Sequence, residues 1–188
     1  MFLIIIILIV IFAFFSVDVK QNQVYSKDEI QKWSDDELLV RTLYGEGRSC
    51  SREELVNIAL VIKNRLNSSR FQDTIKKVLF DKWQFSSWNS LHKNNKLYGN
   101  AREVRRKRLS DEKSKKRCQE VVDLVFDDDY NINPIPGCYW FVRKDLIDVK
   151  SYFGRKRVVD VNSGSLSWAE KKDVVYEGKH YFLRWYKW

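Results

Sequence analysis

One glutamate is placed where a side chain could donate a proton. Glu46 stands between two glycines near the end of a segment that predicts a helix. Leu39, Leu43 and Glu46 share one helical face, which should bury its leucines. A carboxyl group on that stripe lies either at the edge of a cleft or in an apolar pocket, where desolvation raises its pKa and lets it act as an acid. The alternative is a structural salt bridge with Arg48 or Arg41.

A second chemical pattern lies at residues 83–88, which read WQFSSW. They show neither a helical stripe nor the alternation of a strand. Aromatic rings offer flat faces to sugar rings, and the amide of Gln84 and the hydroxyl of Ser86 can bond to sugar hydroxyls. The alternative is a loop that plugs the core with Trp83 and Phe85.

Nucleophile and metal chemistry have less support. The chain has three cysteines and two histidines, but no C-x-x-C pair and no G-x-S-x-G turn. One disulfide is possible in an exported protein, with one thiol left over, and the spacing does not choose the pair. A cysteine–histidine zinc site is weakly supported, so no metal ligand is predicted. The residues concerned are Cys50, Cys118, Cys138, His92 and His180.

Two capping boxes position Glu46. Ser34 is followed three residues later by Glu37, and the motif recurs at Ser51 and Glu54, so a helix should begin at each. The hydrophobic periodicity along the rest of the chain predicts an α+β fold, in which helices come first and a small antiparallel sheet comes late. The predicted helices cover about 35–45, 52–66, a short segment from 73 or 74, and 113–126; the predicted strands cover 138–142 and 158–161, with a hairpin of 173–176 and 179–185.

These blocks, in this order, resemble the spore-cortex-lytic (SleB-type) family of bacterial cell-wall hydrolases. That family shows a helix with Y-x-E-A-R, a helix ending in V-x-N-R, then F-P-x-T-I-x-x-V-I, Q-F-S, a strand containing Y-F, and a closing G-x-H-x-F. The corresponding strings are YGEGR at 44–48, VIKNR at 61–65, FQDTIKKVL at 71–79, QFS at 84–86, GCYWF at 137–141 and GKHYF at 178–182.

The resemblance implies a lysozyme-like domain that cleaves peptidoglycan between N-acetylmuramic acid and N-acetylglucosamine, with Glu46 as the catalytic acid and no cofactor. The blocks contain no obvious second acid, since Asp73 and Asp81 suit cap or loop positions. One carboxylate favours a lytic transglycosylase over a hydrolase, which usually uses two. The expected substrate-binding residues are Tyr44, Gln84, Phe85, Ser86, Trp140 and His180.

The chain departs from the family pattern at several positions. Gly47 replaces the usual Ala, Arg143 and Lys144 replace an Asn-Pro pair, and Trp140 and Leu183 stand where Tyr is usual. These differences affect the expected substrate preference more than the assignment of Glu46 as the catalytic acid. Spore cortex is therefore not established as the target, and a phage, viral or general wall-remodelling role is equally open.

The N-terminus predicts export. Residues 2–15 read FLIIIILIVIFAFF, which fits the apolar core of an export signal, and extending the run to 2–17 makes an uncleaved membrane anchor possible. We therefore expect a signal or anchor over 1–20, a tether over 21–33 and the catalytic domain over 34–188. The protein should be exported and lie at the membrane, in the periplasm or in the extracellular wall.

Charge indicates an anionic partner. The formal net charge is +9, and the densest cationic run covers 102–117. For an exported protein this segment favours an anionic wall polymer or lipid headgroups over nucleic acid. The competing class is a membrane-tethered basic protein that binds cell wall or nucleic acid without catalysis and uses Glu46 as a structural ion pair.

Overall fold

The structure is a computed structural model that describes residues 23–81, 84–91, 99–143, 147–152, 155–160, 166–168 and 174–184. The predicted signal or anchor, Trp83 and His92 lie outside these residues. Within the described ranges, no helix combines the length and the apolar character that a membrane crossing requires.

The helices occupy the first two thirds of the chain. They are α1 (Lys27–Gln31), α2 (Asp35–Gly47), α3 (Arg52–Leu66), α4 (Ile75–Phe80), α5 (Gly99–Arg105) and α6 (Glu112–Val125), with a 3-10 turn at Asn89–Leu91. The four helices predicted from the sequence correspond to α2, α3, α4 and α6. Helices α1 and α5 were not predicted, and α5 overlaps the start of the basic segment.

Helix α1 lies in the segment predicted to be a tether. It begins with a complete capping box, in which the side chains of Ser26 and Glu29 each accept from the other's backbone N–H. Ile30 is fully buried, and the N–H of Tyr25 donates to the carbonyl of Arg105 at 2.8 Å. The chain is therefore already packed from about Tyr25 onward, ahead of residue 34, where the catalytic domain was predicted to begin.

Only the serine half of each predicted capping box forms. Ser34 Oγ and Ser51 Oγ accept from the third residue of their helices, each at 3.2 Å. The acids turn elsewhere: Glu37 pairs with Arg41, and Glu54 bonds to the N–H of His180 at 3.0 Å. Each serine therefore begins its helix as predicted, while the acid serves a tertiary contact.

Helix α2 ends at Gly47, two residues beyond the predicted end near 45. Gly47 does not adopt a left-handed conformation, so the requirement for glycine at this position comes from packing. A Cβ atom at Gly47 would lie 2.7 Å from Leu55 Cδ2 and 2.9 Å from Ile58 Cδ1. The glycine therefore allows α3 to pack closely against the end of α2.

The strands follow the helices and form two antiparallel sheets. The strands are β1 (Cys138–Arg143), β2 (Ile147–Tyr152), β3 (Arg155–Asp160), β4 (Leu166–Trp168), β5 (Val174–Glu177) and β6 (His180–Arg184). One sheet has the order β1-β6-β5 and the other β2-β3-β4. The α+β class with a late antiparallel sheet is confirmed, as is the hairpin of β5 and β6; the second sheet is additional.

The helices and the first sheet share one core, and the motif at the end of α3 joins them. Asn64 Nδ2 donates to the carbonyl of Cys138 at 2.9 Å, and Arg65 Nε donates to the carbonyl of Tyr139 at 2.8 Å. These bonds fix the start of β1 against α3. The burial predicted for Leu39 and Leu43 is confirmed, and the other helices bury Leu55, Ile58, Ala59, Ile62, Val78, Leu79, Cys118, Val121, Val122 and Val125.

Candidate active site

Glu46 lies in the last turn of α2 with its side chain half-buried. Its Oε1 accepts three hydrogen bonds: from Ser86 Oγ at 3.0 Å, from the backbone N–H of Ser87 at 3.0 Å and from Ser87 Oγ at 2.9 Å. Among the described residues, no donor contacts Oε2. Within the described part of the chain, these hydrogen bonds therefore hold the carboxyl group through one oxygen.

Gly45 permits this close contact between α2 and the 84–88 loop. A Cβ atom at Gly45 would collide with Ser87 Oγ and would lie 2.5 Å from Val104 Cγ2. Real Cβ atoms do not approach other atoms so closely, and Ser87 is fully buried. The glycine on the N-terminal side of Glu46 is therefore required for the serine donors to reach Oε1.

A hydrogen bond one helical turn earlier in α2 also holds the 84–88 loop. Trp88 Nε1 donates to Thr42 Oγ1 at 2.8 Å, and Thr42 Oγ1 donates to the carbonyl of Leu38 at 2.7 Å. Thr42 and Glu46 are four residues apart and so lie on one face of α2. Two successive turns of the helix thus bind successive parts of the loop, and this fixes the orientation of the carboxyl group.

The pKa of Glu46 is raised above its ordinary value. Desolvation by burial is the largest cause, and the hydrogen bonds from Ser87 and Ser86 oppose it without cancelling it. The cations proposed as salt-bridge partners lie elsewhere: Arg41 donates to the carbonyls of Val104 and Arg106, and Arg48 lies over the ring of Tyr44. No lysine or arginine in the described part of the chain pairs with Glu46, so the structural salt bridge is not found there.

Tyr44 does not line a groove. Its side chain is fully buried, and its hydroxyl contacts Glu103 Oε1 at 3.3 Å and Ser110 Oγ at 3.2 Å and accepts from the N–H of Asp111 at 3.1 Å. These bonds join α2 to α5 and to the segment that leads into α6. Tyr44 therefore supports Glu46 from the interior.

Phe85 and His180 are also interior residues, with exposed fractions of 1% and 2%. The ring of Phe141 lies between them, at 6.1 Å from Phe85 and 5.6 Å from His180 between ring centroids. Phe85 thus plugs the core, which was the alternative for this loop. A substrate contact by either side chain would require the core to open.

Three of the six predicted substrate-binding residues stay near the surface. Ser86 is exposed and contacts Glu46 directly, while Gln84 and Trp140 are half-buried. Trp140 covers the buried guanidinium of Arg65, whose carbon lies 4.8 Å from the indole centroid. Sequence reasoning missed Ser87, although it directly follows the Q-F-S string and supplies two of the three donors to Glu46.

The basic segment is partly internal. Arg105 donates to the carbonyl of Tyr25 through both Nε and Nη2, at 3.1 and 2.9 Å, and Arg117 donates to the carbonyl of Arg48. Arg106 pairs with Glu103 at 3.1 Å. Several cations in 102–117 therefore hold the fold together. The exposed ones are Arg102, Lys107, Arg108, Lys113 and Lys116.

The chain is similar to known cell-wall hydrolases. Residues 50–183 match the Cell Wall Hydrolase family. A 72-residue segment is 40% identical to the spore cortex-lytic enzyme of Oceanobacillus iheyensis; it covers 38% of this chain and only 23% of that protein. The catalytic domain of the germination-specific lytic transglycosylase SleB from Bacillus anthracis aligns with a TM-score of 0.46 at 19% identity, over 85% of this chain and 97% of that one.

Proposed function

Because the chain belongs to the Cell Wall Hydrolase family, we propose that it degrades peptidoglycan. It cleaves the glycan strand between N-acetylmuramic acid and N-acetylglucosamine, and Glu46 is the catalytic acid. The observation that carries this proposal is the asymmetric binding of the Glu46 carboxyl group, with three donors on Oε1 and none from the described residues on Oε2.

That asymmetry assigns the proton to one atom. An oxygen that already accepts three hydrogen bonds is a poor place for a proton, because the proton would face three donors. The protonated form of Glu46 therefore carries its hydrogen on Oε2. Since burial raises the pKa of Glu46, a larger share of the carboxyl groups is protonated near neutral pH than in water. Oε2 is then the atom that protonates the glycosidic oxygen.

The sequence blocks identify one carboxyl group, that of Glu46, and a single carboxyl group favours a lytic transglycosylase. The described residues that bond to Glu46 are both serines, and Asp73 instead pairs with Lys77 at 2.9 Å on the surface. A retaining or inverting hydrolase places a second carboxylate within about 5–9.5 Å of the first. A transglycosylase uses the substrate's own hydroxyl and has no need of one.

The reaction then runs through one carboxyl group. Glu46 gives the proton on Oε2 to the glycosidic oxygen, the bond from that oxygen to C1 of the muramic acid breaks, and N-acetylglucosamine leaves with a new hydroxyl. The resulting carboxylate accepts the proton of the C6 hydroxyl, while the C6 oxygen bonds to C1 and closes a 1,6-anhydro ring. The acid ends the cycle protonated, as it began.

Two surface residues are the best remaining substrate contacts. Gln84 is half-buried, and its Oε1 is itself buried without a hydrogen-bond partner among the described residues. The N–H groups of the same side chain, close in sequence to Ser86, can donate to a hydroxyl or an acetamido carbonyl of the sugar. The partly exposed indole of Trp140 offers a flat face to a pyranose ring. Gln84 and Trp140 therefore form the proposed contact set together with Ser86.

Cell location and wall attraction are part of the same proposal. An enzyme that acts on peptidoglycan must cross the membrane to reach it, and the apolar run at 2–17 suits an export signal or an anchor. The exposed cations of 102–117 would attract anionic wall polymers or lipid headgroups at a range set by salt. Sedimentation with wall fragments at increasing salt tests this attraction apart from catalysis.

Product analysis on purified sacculi tests the reaction. Digestion by the protein should release anhydro-muropeptides, seen by mass spectrometry, and Glu46→Gln should release none while keeping its circular dichroism spectrum. Reducing-end products without anhydro forms would replace the transglycosylase with a hydrolase. Undigested sacculi with bound protein would favour the non-catalytic binding protein instead.

A further inference from the structure

Cys50, Glu54 and His180 form a buried cluster outside the hydrogen bonds of Glu46. Their exposed fractions are 4%, 4% and 2%. His180 Nδ1 lies 3.7 Å from Cys50 Sγ and 3.4 Å from Glu54 Oε1, and the three ligand atoms all lie within 4.8 Å of one another. They come from three parts of the fold: the turn after α2, the first turn of α3 and the start of β6.

The geometry does not suit a cysteine–histidine–acid relay. In such a relay the thiol faces one ring nitrogen and the acid faces the other, so that the ring can pass a proton between them. Here Cys50 and Glu54 both face Nδ1 of His180. One ring nitrogen carries either one N–H or one lone pair, so it cannot accept from the thiol while it donates to the carboxylate. The three groups converge on a common point.

The measured separations match the edges of a metal tetrahedron. Zinc binds sulfur at about 2.3 Å, imidazole nitrogen at about 2.05 Å and carboxylate oxygen at about 2.1 Å. Tetrahedral angles then place sulfur and nitrogen about 3.6 Å apart, and nitrogen and oxygen about 3.4 Å apart. The observed 3.7 and 3.4 Å agree with both edges. The sulfur–oxygen pair, within 4.8 Å, needs to close by at most about 1.2 Å.

We propose that Cys50, Glu54 and His180 bind one Zn²⁺ or a similar thiophilic divalent cation in a structural site, with water in the fourth position. A thiolate and a carboxylate together balance the charge of the ion, whereas either one buried alone would be costly. Soft sulfur and imidazole ligands favour zinc over calcium or magnesium.

The protein around the cluster holds Glu54 in place. A Cβ atom at Gly178 would lie 2.6 Å from the carboxyl carbon of Glu54, so the hairpin turn can close over the acid only with glycine there. The N–H of His180 also donates to Glu54 Oε1 at 3.0 Å. Such outer hydrogen bonds orient metal-binding carboxylates.

An ion at this site would join the hairpin to the end of the Glu46 helix. The N–H of Cys50 donates to the carbonyl of Gly47 at 2.9 Å, and the His180 ring packs on Phe141. The ion would therefore act as a structural link between these elements. This inference does not rest on the proposed peptidoglycan activity, since its readouts are metal binding and unfolding.

Metal titration of the purified, chelator-treated and reduced full chain tests the site. Co²⁺ should bind at one equivalent with a thiolate-to-cobalt absorption band in the near ultraviolet, and Zn²⁺ should displace it. At about one hundred times the dissociation constant, Zn²⁺ should raise the midpoint of thermal unfolding by about 5–10 °C. A wild-type protein with no thiolate band and no stabilisation would overturn the proposal, leaving a hydrogen-bonded triad.

Matched cysteine variants assign the ligand. Cys50→Ser should lose the cobalt band and the zinc stabilisation, and Glu54→Gln should weaken both. Cys118→Ser should keep both, since Cys118 is buried at another place in the core and burial raises the pKa of its thiol to about 12. Equal loss in both cysteine variants, or an unchanged band in Cys50→Ser, would contradict the assignment.

Discussion

The backbone N–H and the hydroxyl of Ser87 both donate to one oxygen of Glu46, at 3.0 and 2.9 Å. This double contact orients the carboxyl group, and it also opposes the desolvation that raises its pKa. Two effects of opposite sign therefore set the pKa of Glu46. Removing a hydrogen-bond donor should raise that pKa.

Ser87→Ala tests this expectation. The hydroxyl stabilises the charged form of Glu46, so its loss should raise the pKa of Glu46 further. If protonated Glu46 is the active form, the alkaline limb of the pH profile of kcat/KM should move to higher pH. Ser90→Ala is the matched control, because Ser90 makes no bond to Glu46 in the described structure. An unmoved limb in Ser87→Ala would contradict the role assigned to Glu46.

Glu46→Gln should lower the rate of glycan cleavage by about 10²–10⁴-fold, the usual contribution of a general acid. Release of soluble muropeptides from sacculi measures it. Glu46→Asp is the companion variant, since it keeps a carboxyl group but withdraws it from the serine donors. It should be impaired less than the glutamine variant; equal activity of all three proteins would place the acid elsewhere.

The dependence of the free energy of unfolding on pH tests the pKa of Glu46 without any substrate. Because the pKa is raised in the folded state, the native protein binds the proton more tightly than the unfolded chain does. The resulting stabilisation is complete below the unfolded pKa of about 4.3 and is lost as pH rises through the folded pKa. Glu46→Gln does not titrate, so chemical unfolding should show wild type losing stability relative to it over that window. Parallel pH curves for the two proteins would contradict the raised pKa.

Gly45→Ala and Gly47→Ala form a matched pair on either side of Glu46. A methyl group at Gly45 meets the short, fully buried Ser87 side chain, whereas one at Gly47 meets the ends of the Leu55 and Ile58 side chains, which can rotate. We expect Gly45→Ala to destabilise by about 1–3 kcal/mol and to reduce cleavage, with a smaller effect at Gly47. Urea unfolding and muropeptide release measure the two effects, and the reverse order would contradict the packing described here.

Arg65→Lys tests the junction between α3 and the first sheet. The guanidinium is buried at 2% exposure, lies against the rings of Phe71, Phe85 and Trp140, and desolvation lowers its pKa to about 10 while the charge of Asp81 opposes that shift. A lysine keeps the charge but loses the planar stacking and the bond from Nε. We expect a loss of about 1–3 kcal/mol in the free energy of unfolding, measured in urea.

Arg102→Lys is the control for that prediction, because Arg102 is exposed. It should change stability by less than about 0.5 kcal/mol. If the two lysine variants were equally stable, the stacking around Arg65 would contribute little.

Local sequence patterns were sufficient to predict most of the described helices but not all of them. The starts at Ser34 and Ser51 and the buried faces of α2, α3 and α6 follow from short-range spacing, which the structure preserves. Helix α1 was missed, although Ser26 and Glu29 form a full capping box, because its five residues carry almost no apolar stripe. Its stability comes from contacts with residues about eighty positions later, such as Arg105.

Three of the residues predicted to bind substrate lie in the core, because their residue types serve a core and a groove equally well. Phe85 and Tyr44 are large aromatics in family motifs, and nothing in their neighbours tells whether a ring faces substrate or the interior. Burial is a property of the packed chain. The same holds for His180, whose partners Cys50 and Glu54 lie about 130 residues earlier in the sequence.

The amino-acid sequence alone determined the family, the α+β class, the helix starts and the choice of Glu46, because these depend on residue type and short-range spacing. Only the tertiary structure decided which oxygen of Glu46 is bound, that Ser87 binds it, and that a cysteine, a glutamate and a histidine meet behind the site. Those relationships join residues 40 to 130 positions apart. Packing of the whole chain brings them within hydrogen-bond distance, and no local pattern records it.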